Sequence, residues 1–443
     1  MKKIFLSALL LCAAISGAAE YKFEFKSDKN WKLKIGETAT FSALLLSRDD
    51  PKAAFQPVKG TKVYYKLIGD GNKTVSGTFT TDGKEFKLSG KLNNPGWLYA
   101  NFSMLGKDGK VFKIKNARGQ LVGVSGGIGA LVEPEKLLPG MDEPADFDAF
   151  WKSQRTRLDK VPLKAKLTQV KAAGKWRSKY NLYDIKIDCA GSAPVSGYLS
   201  VPVNAKPKSL PAMVTYHGAG VYTSTPRYNA VPALLLDVNA HGVLNGQPKE
   251  YYVKLSQTTL KGYPHFNKND RKKIYFNGMY LRVMRALDYI KSRPEWNGKV
   301  LIVAGSSQGG GQAIAAAALD QQVTLCLAAV PALSDHAGST AKPVRMPGWP
   351  RFYDARHTKN VNKKIVSTAA YYDNVNFAKR IKCEAWLTAG LIDTVCSPAG
   401  IHVVFNNLKS AKKYLNVSPT GHHGGAPNTK GFARANQILS GKK

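Results

Sequence analysis

Apolar and polar positions alternate along the chain from about Glu20 to Val132. Tyr21-Lys22-Phe23-Glu24-Phe25, Thr38 to Leu44, Lys62 to Ile68 and Gly96 to Phe102 carry the period of two expected of strands with one buried face. Asp70-Gly71, Asp82-Gly83, Asn94-Pro95-Gly96 and Asp108-Gly109 supply turn signals between them. Short strands at this spacing, with no helical period, predict an immunoglobulin-like β-sandwich over residues 20–133. No cluster of chemistry-bearing side chains falls within it. Ser125-Gly126-Gly127-Ile128-Gly129-Ala130, followed by Pro134 and Pro139-Gly140, reads as a linker.

Beyond the linker the pattern changes. Glu143-Pro144-Ala145-Asp146-Phe147-Asp148-Ala149-Phe150-Trp151 opens a helix with acidic residues in its first turn, where the helix dipole favours them. Strands are expected at Tyr180 to Ile187, Val195 to Val201, Ala212 to Tyr216, Val231 to Asp237, Thr324 to Ala332, Glu384 to Ala389 and Tyr414 to Val417. Helices are expected at Met279 to Lys291 and Pro398 to Leu408. This alternation predicts an α/β domain over residues 134–443, a mostly parallel sheet with helices on both faces.

Met1-Lys2-Lys3, the apolar run Ile4 to Ile15 and Ser16-Gly17-Ala18-Ala19 have the form of an export signal with a small-residue cleavage site, assigned to residues 1–19. The run is too short to span a bilayer, and no later apolar stretch reaches about 20 residues. A soluble periplasmic or secreted protein is expected. Cys189, Cys326, Cys383 and Cys396 are too few for a disulfide framework in a chain of 443 residues. Neither a C-x-x-C pair nor H-E-x-x-H is present, so the expected chemistry uses no metal or cofactor. The net charge is +35, about +33 without Lys2 and Lys3. The excess is spread out and no nucleic-acid-binding motif accompanies it, so nucleic acid is not the expected partner. It suits either a solvated basic surface or attraction to an acidic polysaccharide.

Chemistry concentrates where Val300-Leu301-Ile302-Val303-Ala304 runs into Gly305-Ser306-Ser307-Gln308-Gly309 and then into Gly310-Gly311-Gln312 and an alanine-rich helical stretch. G-x-S-x-G between a buried strand and a helix is the nucleophile-elbow context, making Ser307 the candidate nucleophile. A serine hydroxyl is a weak nucleophile until a histidine takes its proton, and that histidine needs a carboxylate to fix its tautomer. Asp393 follows the strand-like run Ala385 to Ile392, so it should emerge at the C-terminal sheet edge. The base should lie in Gly421-His422-His423-Gly424-Gly425, where either histidine could serve. His217, His241, His265, His336 and His357 precede Asp393 in the chain and are expected to be structural, while His402 falls inside a helix. Backbone N–H groups of Gln308 and of Ala219, in the turn His217-Gly218-Ala219-Gly220, are the expected oxyanion donors.

Together these segments resemble the acetyl xylan esterase and cephalosporin C deacetylase family of α/β-hydrolases. The likeness covers most of the chain from about Pro134 and includes Tyr371-Tyr372-Asp373-Asn374-Val375-Asn376-Phe377-Ala378 and Leu391-Ile392-Asp393-Thr394-Val395-Cys396-Ser397-Pro398. The resemblance implies Ser307 as nucleophile, Asp393 as acid and His422, the first histidine after the glycine, as base. It also implies oxyanion donors at Ala219 and Gln308, and a homo-oligomer, a hexamer in compact members, that the leading β-domain could block. Val238-Asn239-Ala240-His241-Gly242 departs from the arginine and glutamine that many members carry there.

The expectation is therefore an exported serine esterase that deacetylates an oligo- or polysaccharide, with an acidic glycan as one substrate option. The competing readings are a uronate methyl esterase or peptidase using the same triad, and a non-catalytic polysaccharide-binding protein.

Overall fold

The computed structural model describes residues 19–71, 74–116, 119–191, 193–357 and 360–442. The expected export signal, apart from Ala19, lies outside the described residues. The N-terminal region is built from two facing sheets and a two-stranded ribbon, Lys113–Lys115 with Leu121–Gly123. One holds Glu20–Ser27, Ala39–Arg48, Gln56–Pro57 and Phe86–Gly90. The other runs in the order Lys32–Leu33, Ser125–Val132, Gly96–Met104, Lys59–Gly69 and Val75–Asp82. Phe23, Phe25, Phe41 and Leu45 of the first sheet meet Val63, Leu98, Ala100, Phe102, Ile128 and Ala130 of the second in one core. This is the all-β sandwich that the alternation predicts.

Ser125–Val132 corrects the linker reading. It is a strand in the five-stranded sheet, antiparallel to Gly96–Met104 over eight residues. Its glycines permit close backbone approach: a Cβ on Gly129 would lie 2.3 Å from the Leu391 carbonyl oxygen. The five-stranded sheet is buried on both faces here. Along Gly96–Met104, Leu98, Ala100 and Phe102 point into the sandwich, whereas Trp97 and Tyr99 join the core of the larger domain. Trp97 Nε1 donates to Leu391 O at 2.7 Å, and Gly129 N donates to Pro419 O at 2.8 Å.

Asp70, just past the strand Lys59–Gly69, accepts from Trp97 N at 2.8 Å. Burial pushes its carboxyl from the ordinary 3.8 up to about 7. Between those values the folded chain keeps a proton that the unfolded chain has released. This contribution to stability is therefore full below about pH 4 and lost as pH rises through 7. Asp70→Asn is expected to raise Tm relative to the parent more at pH 8 than at pH 5. A difference in Tm that is the same at both values would contradict the assignment.

The second region is a nine-stranded sheet in the order Ala165–Val170, Tyr180–Ile187, Val195–Pro202, Leu234–Val238, Leu210–Tyr216, Trp296–Ser306, Leu325–Ala329, Glu384–Gly390 and Lys413–Ser418. The first three strands and the pairing to Leu234–Val238 are antiparallel; all later pairings are parallel. The parallel strands read as unbroken apolar runs because both faces are covered. Leu301 and Val303 pack under the helices Tyr275–Ser292 and Gln308–Leu319, while Ile302 and Ala304 face the helix Thr429–Leu439. No helix among the described residues is long and apolar enough to cross a membrane.

Candidate active site

The strand Trp296–Ser306 ends one residue before Ser307, and the helix Gln308–Leu319 begins one residue after it. Ser307 takes φ 57° and ψ −123°, a region that a side chain rarely occupies. The turn is this sharp because glycine flanks it: a Cβ on Gly305 would lie 2.2 Å from Gly309 O, and one on Gly309 2.2 Å from Tyr216 O. Ser307 N donates to Ala329 O at 2.9 Å, and Ser307 O accepts from Ala332 N at 2.9 Å, which fixes the strained residue.

Asp393 follows the strand Glu384–Gly390 by three residues and is fully buried. Its Oδ1 accepts from Val395 N at 2.7 Å and Cys396 N at 2.9 Å. Its Oδ2 lies 2.8 Å from His423 Nδ1. A carboxylate can only accept, so Nδ1 carries the proton and Nε2 is left as an acceptor. Ser307 Oγ sits 2.9 Å from that Nε2. Hydroxyl, imidazole and carboxylate are thus hydrogen-bonded in series.

The histidine in this series is His423, which corrects the choice of His422. Gly421–Gly425 closes a tight turn: Gly421 N donates to Ser418 O, Gly425 N donates to His422 O, and Ile392 N donates to Gly421 O. The turn leaves His422 exposed, its Nδ1 accepting from Gly424 N at 3.0 Å, and directs the next side chain inward. Position after the glycine does not decide which imidazole faces the serine.

Ser307, His423 and Ala219 line one cavity of about 830 Å³. Thr215, Tyr222, Arg227, Tyr228, Trp349 and Phe432 also border it. Gln308 opens its helix, where the first N–H groups have no intrahelical acceptor. Its side chain is buried and its Oε1 accepts from the Tyr263 hydroxyl at 2.8 Å. Two histidines expected to be merely structural hold the loop opposite. His217 stacks on Tyr222 with ring centres 3.8 Å apart, and its Nδ1 lies 2.9 Å from Gly218 O. His241 Nε2 lies 2.9 Å from Gly220 O and its Nδ1 2.8 Å from the Tyr275 hydroxyl. Burial pushes the His241 imidazole down to about 3, so it stays neutral and can donate at one nitrogen while accepting at the other. His217 adjoins the glycine turn and could have been suspected from the sequence. His241 carries no such signal.

Asp393, Cys396 and His423 bring ligand-capable atoms within 4.8 Å of one another. Burial raises the Cys396 thiol well above its ordinary range, which keeps it protonated and a poor metal ligand. The carboxylate and imidazole are already engaged with each other. The donor set therefore fits a hydrogen-bonded relay better than a metal centre. All four described cysteines are free thiols.

The acetyl xylan esterase (AXE1) family model matches residues 131–438. The chain belongs to the acetyl xylan esterase family. It is 30% identical to acetyl esterase Axe7A of Xylanibacter ruminicola, over 96% of this chain and 93% of that one. The solved acetyl xylan esterase from Paenibacillus sp. R4 superposes with a TM-score of 0.58 at 26% identity, covering 70% of this chain and 99% of the other. Acetyl xylan esterase 1 of Thermoanaerobacterium sp. gives 0.54 at 21% identity, over 70% and 96%, a likeness of fold. The nine-stranded region thus has the α/β-hydrolase fold, and the protein is a carbohydrate esterase whose family implies an acetylated carbohydrate substrate.

Proposed function

We propose that this esterase removes acetyl groups from a plant-type polysaccharide or its fragments outside the cytoplasm, with Ser307, His423 and Asp393 as a catalytic triad. The observation that carries the reading is the unbroken chain of hydrogen bonds from Ser307 Oγ through His423 to buried Asp393, at a strained elbow that opens on the cavity. His423 Nε2 takes the Ser307 proton as Oγ attacks the ester carbonyl carbon. The tetrahedral oxyanion is held by the N–H groups of Ala219 and Gln308. Asp393 stabilises the imidazolium, which gives this proton to the sugar oxygen as its bond to the acyl carbon breaks, leaving acetyl-Ser307. Water, deprotonated by His423, then attacks the acyl carbon, and the imidazolium reprotonates Ser307 Oγ as acetate leaves. The family match and the acetyl esterase relative support the acyl group and the carbohydrate. Export rests on the apolar N-terminal run alone.

The test is a panel of acetylated xylo-oligosaccharides, methyl glucuronates and short peptides offered to the purified protein. Acetate release from the first, with kcat/KM at least tenfold above the other two, is the expected result. Peptide or methyl ester cleavage without acetate release would overturn the deacetylase reading.

A further inference from the structure

Arg227 is a wall residue of the cavity that contains Ser307, and its role in the chemistry above is nil. Its placement is nevertheless specified with care. Asp237 is buried at 1% exposure and collects three donors: Thr215 Oγ1 at 2.5 Å and Arg227 Nε at 3.0 Å on Oδ1, and Thr225 N at 2.8 Å on Oδ2. The carboxylate thus grips the guanidinium by its Nε edge, while the side chain of Arg227 stays 47% exposed. The two Nη groups have no protein acceptor among the described residues. A guanidinium anchored on one edge keeps a planar pair of donors for a second planar acceptor.

Next to it, Tyr228 also lines the cavity, and its ring stacks on Trp176 at 5.4 Å between centres and 8° between planes. Lys175 Nζ and Lys179 Nζ lie 5.4 and 5.8 Å from the centre of that tryptophan ring. Two ammonium groups therefore sit against the tryptophan ring that backs Tyr228, the residue next to Arg227. Asp237 offsets the charge of Arg227; the lysines add an excess, in a chain that carries +35 overall. Of the lining side chains that reach solvent, the permanently charged one is Arg227.

We infer that Arg227 forms a subsite for a sugar carboxylate, so that the favoured substrate is an acetylated oligosaccharide bearing a uronic acid near the acetylated residue. The proposal rests on the deacetylase reading and narrows it. The Nη pair donates two parallel hydrogen bonds to the carboxylate, and Lys175 and Lys179 draw the anionic chain to the cleft. Arg227 positions the substrate and takes no part in bond making.

Two acetylated xylo-oligosaccharides of equal length, one with a uronic acid branch and one without, separate the two claims. The wild-type protein is expected to favour the acidic substrate about tenfold in kcat/KM, mainly through KM, with a preference that shrinks as salt is added. Arg227→Gln should bring the ratio close to one, and Arg227→Lys should restore it only in part. Because Arg227→Gln strands the buried Asp237 charge, the Arg227→Gln/Asp237→Asn double variant is measured alongside and should show the same lost ratio with a melting temperature nearer the parent. Equal kcat/KM on the two substrates, or a loss in the variants that falls alike on both, would overturn the subsite while leaving deacetylation intact. No acetate from either substrate would overturn the deacetylase reading and the subsite with it.

Discussion

Alanine at His423 is expected to lower kcat by on the order of 10³ to 10⁶, whereas alanine at His422 leaves it within about twofold. The two residues are adjacent, so the contrast isolates side-chain placement. His423 is bonded to both Ser307 and Asp393, at 2.9 and 2.8 Å. His422 is exposed, and among the described residues its side chain hydrogen-bonds to Gly424 N alone. Groups that act as a unit are far from additive, so Ser307→Ala and Ser307→Ala/His423→Ala should fall to the same residual rate as His423→Ala. Asp393→Asn should cost roughly 10³- to 10⁴-fold, because the amide can donate to Nδ1 and so favours the wrong tautomer. Turnover of p-nitrophenyl acetate measures all of these, with thermal unfolding as the check that each variant is folded. A His422→Ala variant as slow as Ser307→Ala, beside an active His423→Ala, would sink the assignment.

The elbow and the carboxylate that bonds His423 were legible in the sequence because backbone constraints leave marks. Gly305 and Gly309 are needed wherever strand, turn and helix crowd to 2.2 Å, and Asp393 follows a strand whose apolar run is unmistakable. The choice between His422 and His423 was not legible. It depends on how Gly421–Gly425 turns back on Ser418 and then folds against Ile392, the second a contact between segments distant in the chain. The helix Thr429–Leu439 escaped for a similar reason. It buries Gly431, Ala435 and Leu439 at a spacing of four, and two of those residues carry almost no hydrophobic signal. Ser125–Val132 looked like a linker because glycine normally weakens a strand; here the glycines make room for neighbouring backbone. Arg227 and Asp237, ten residues apart, could not be paired before the sheet was known to place the second beneath the first.

Gly129→Ala should lower kcat at least tenfold, although the residue lies in the β-sandwich and far from Ser307 in sequence. A Cβ there would stand 2.3 Å from Leu391 O and 2.9 Å from Leu391 Cβ, so the backbone must move. Leu391 precedes Asp393 by two residues, and its carbonyl oxygen also accepts from Trp97 Nε1 of the neighbouring strand at 2.7 Å. Gly129 N in turn bonds Pro419 O, at the start of the segment that delivers His423. One sheet of the sandwich therefore braces both the acid and the base of the proposed triad. A displacement of about 1 Å at a reacting group can cost on the order of 10²-fold in rate. The overpacking itself should cost about 1–3 kcal/mol of stability. Trp97→Phe keeps the ring but leaves Leu391 O unpaired, and a smaller fall in the same direction is expected. Because neither Gly129 nor Trp97 lines the cavity, KM should change less than kcat in both variants. Phe102→Leu is the control: Phe102 is buried in the sandwich core on the face turned away from the hydrolase, so it should lower Tm without changing kcat at temperatures where the protein is folded. If all three variants lose kcat only in proportion to lost Tm, the sandwich is a stabiliser and not a brace for the acid and base.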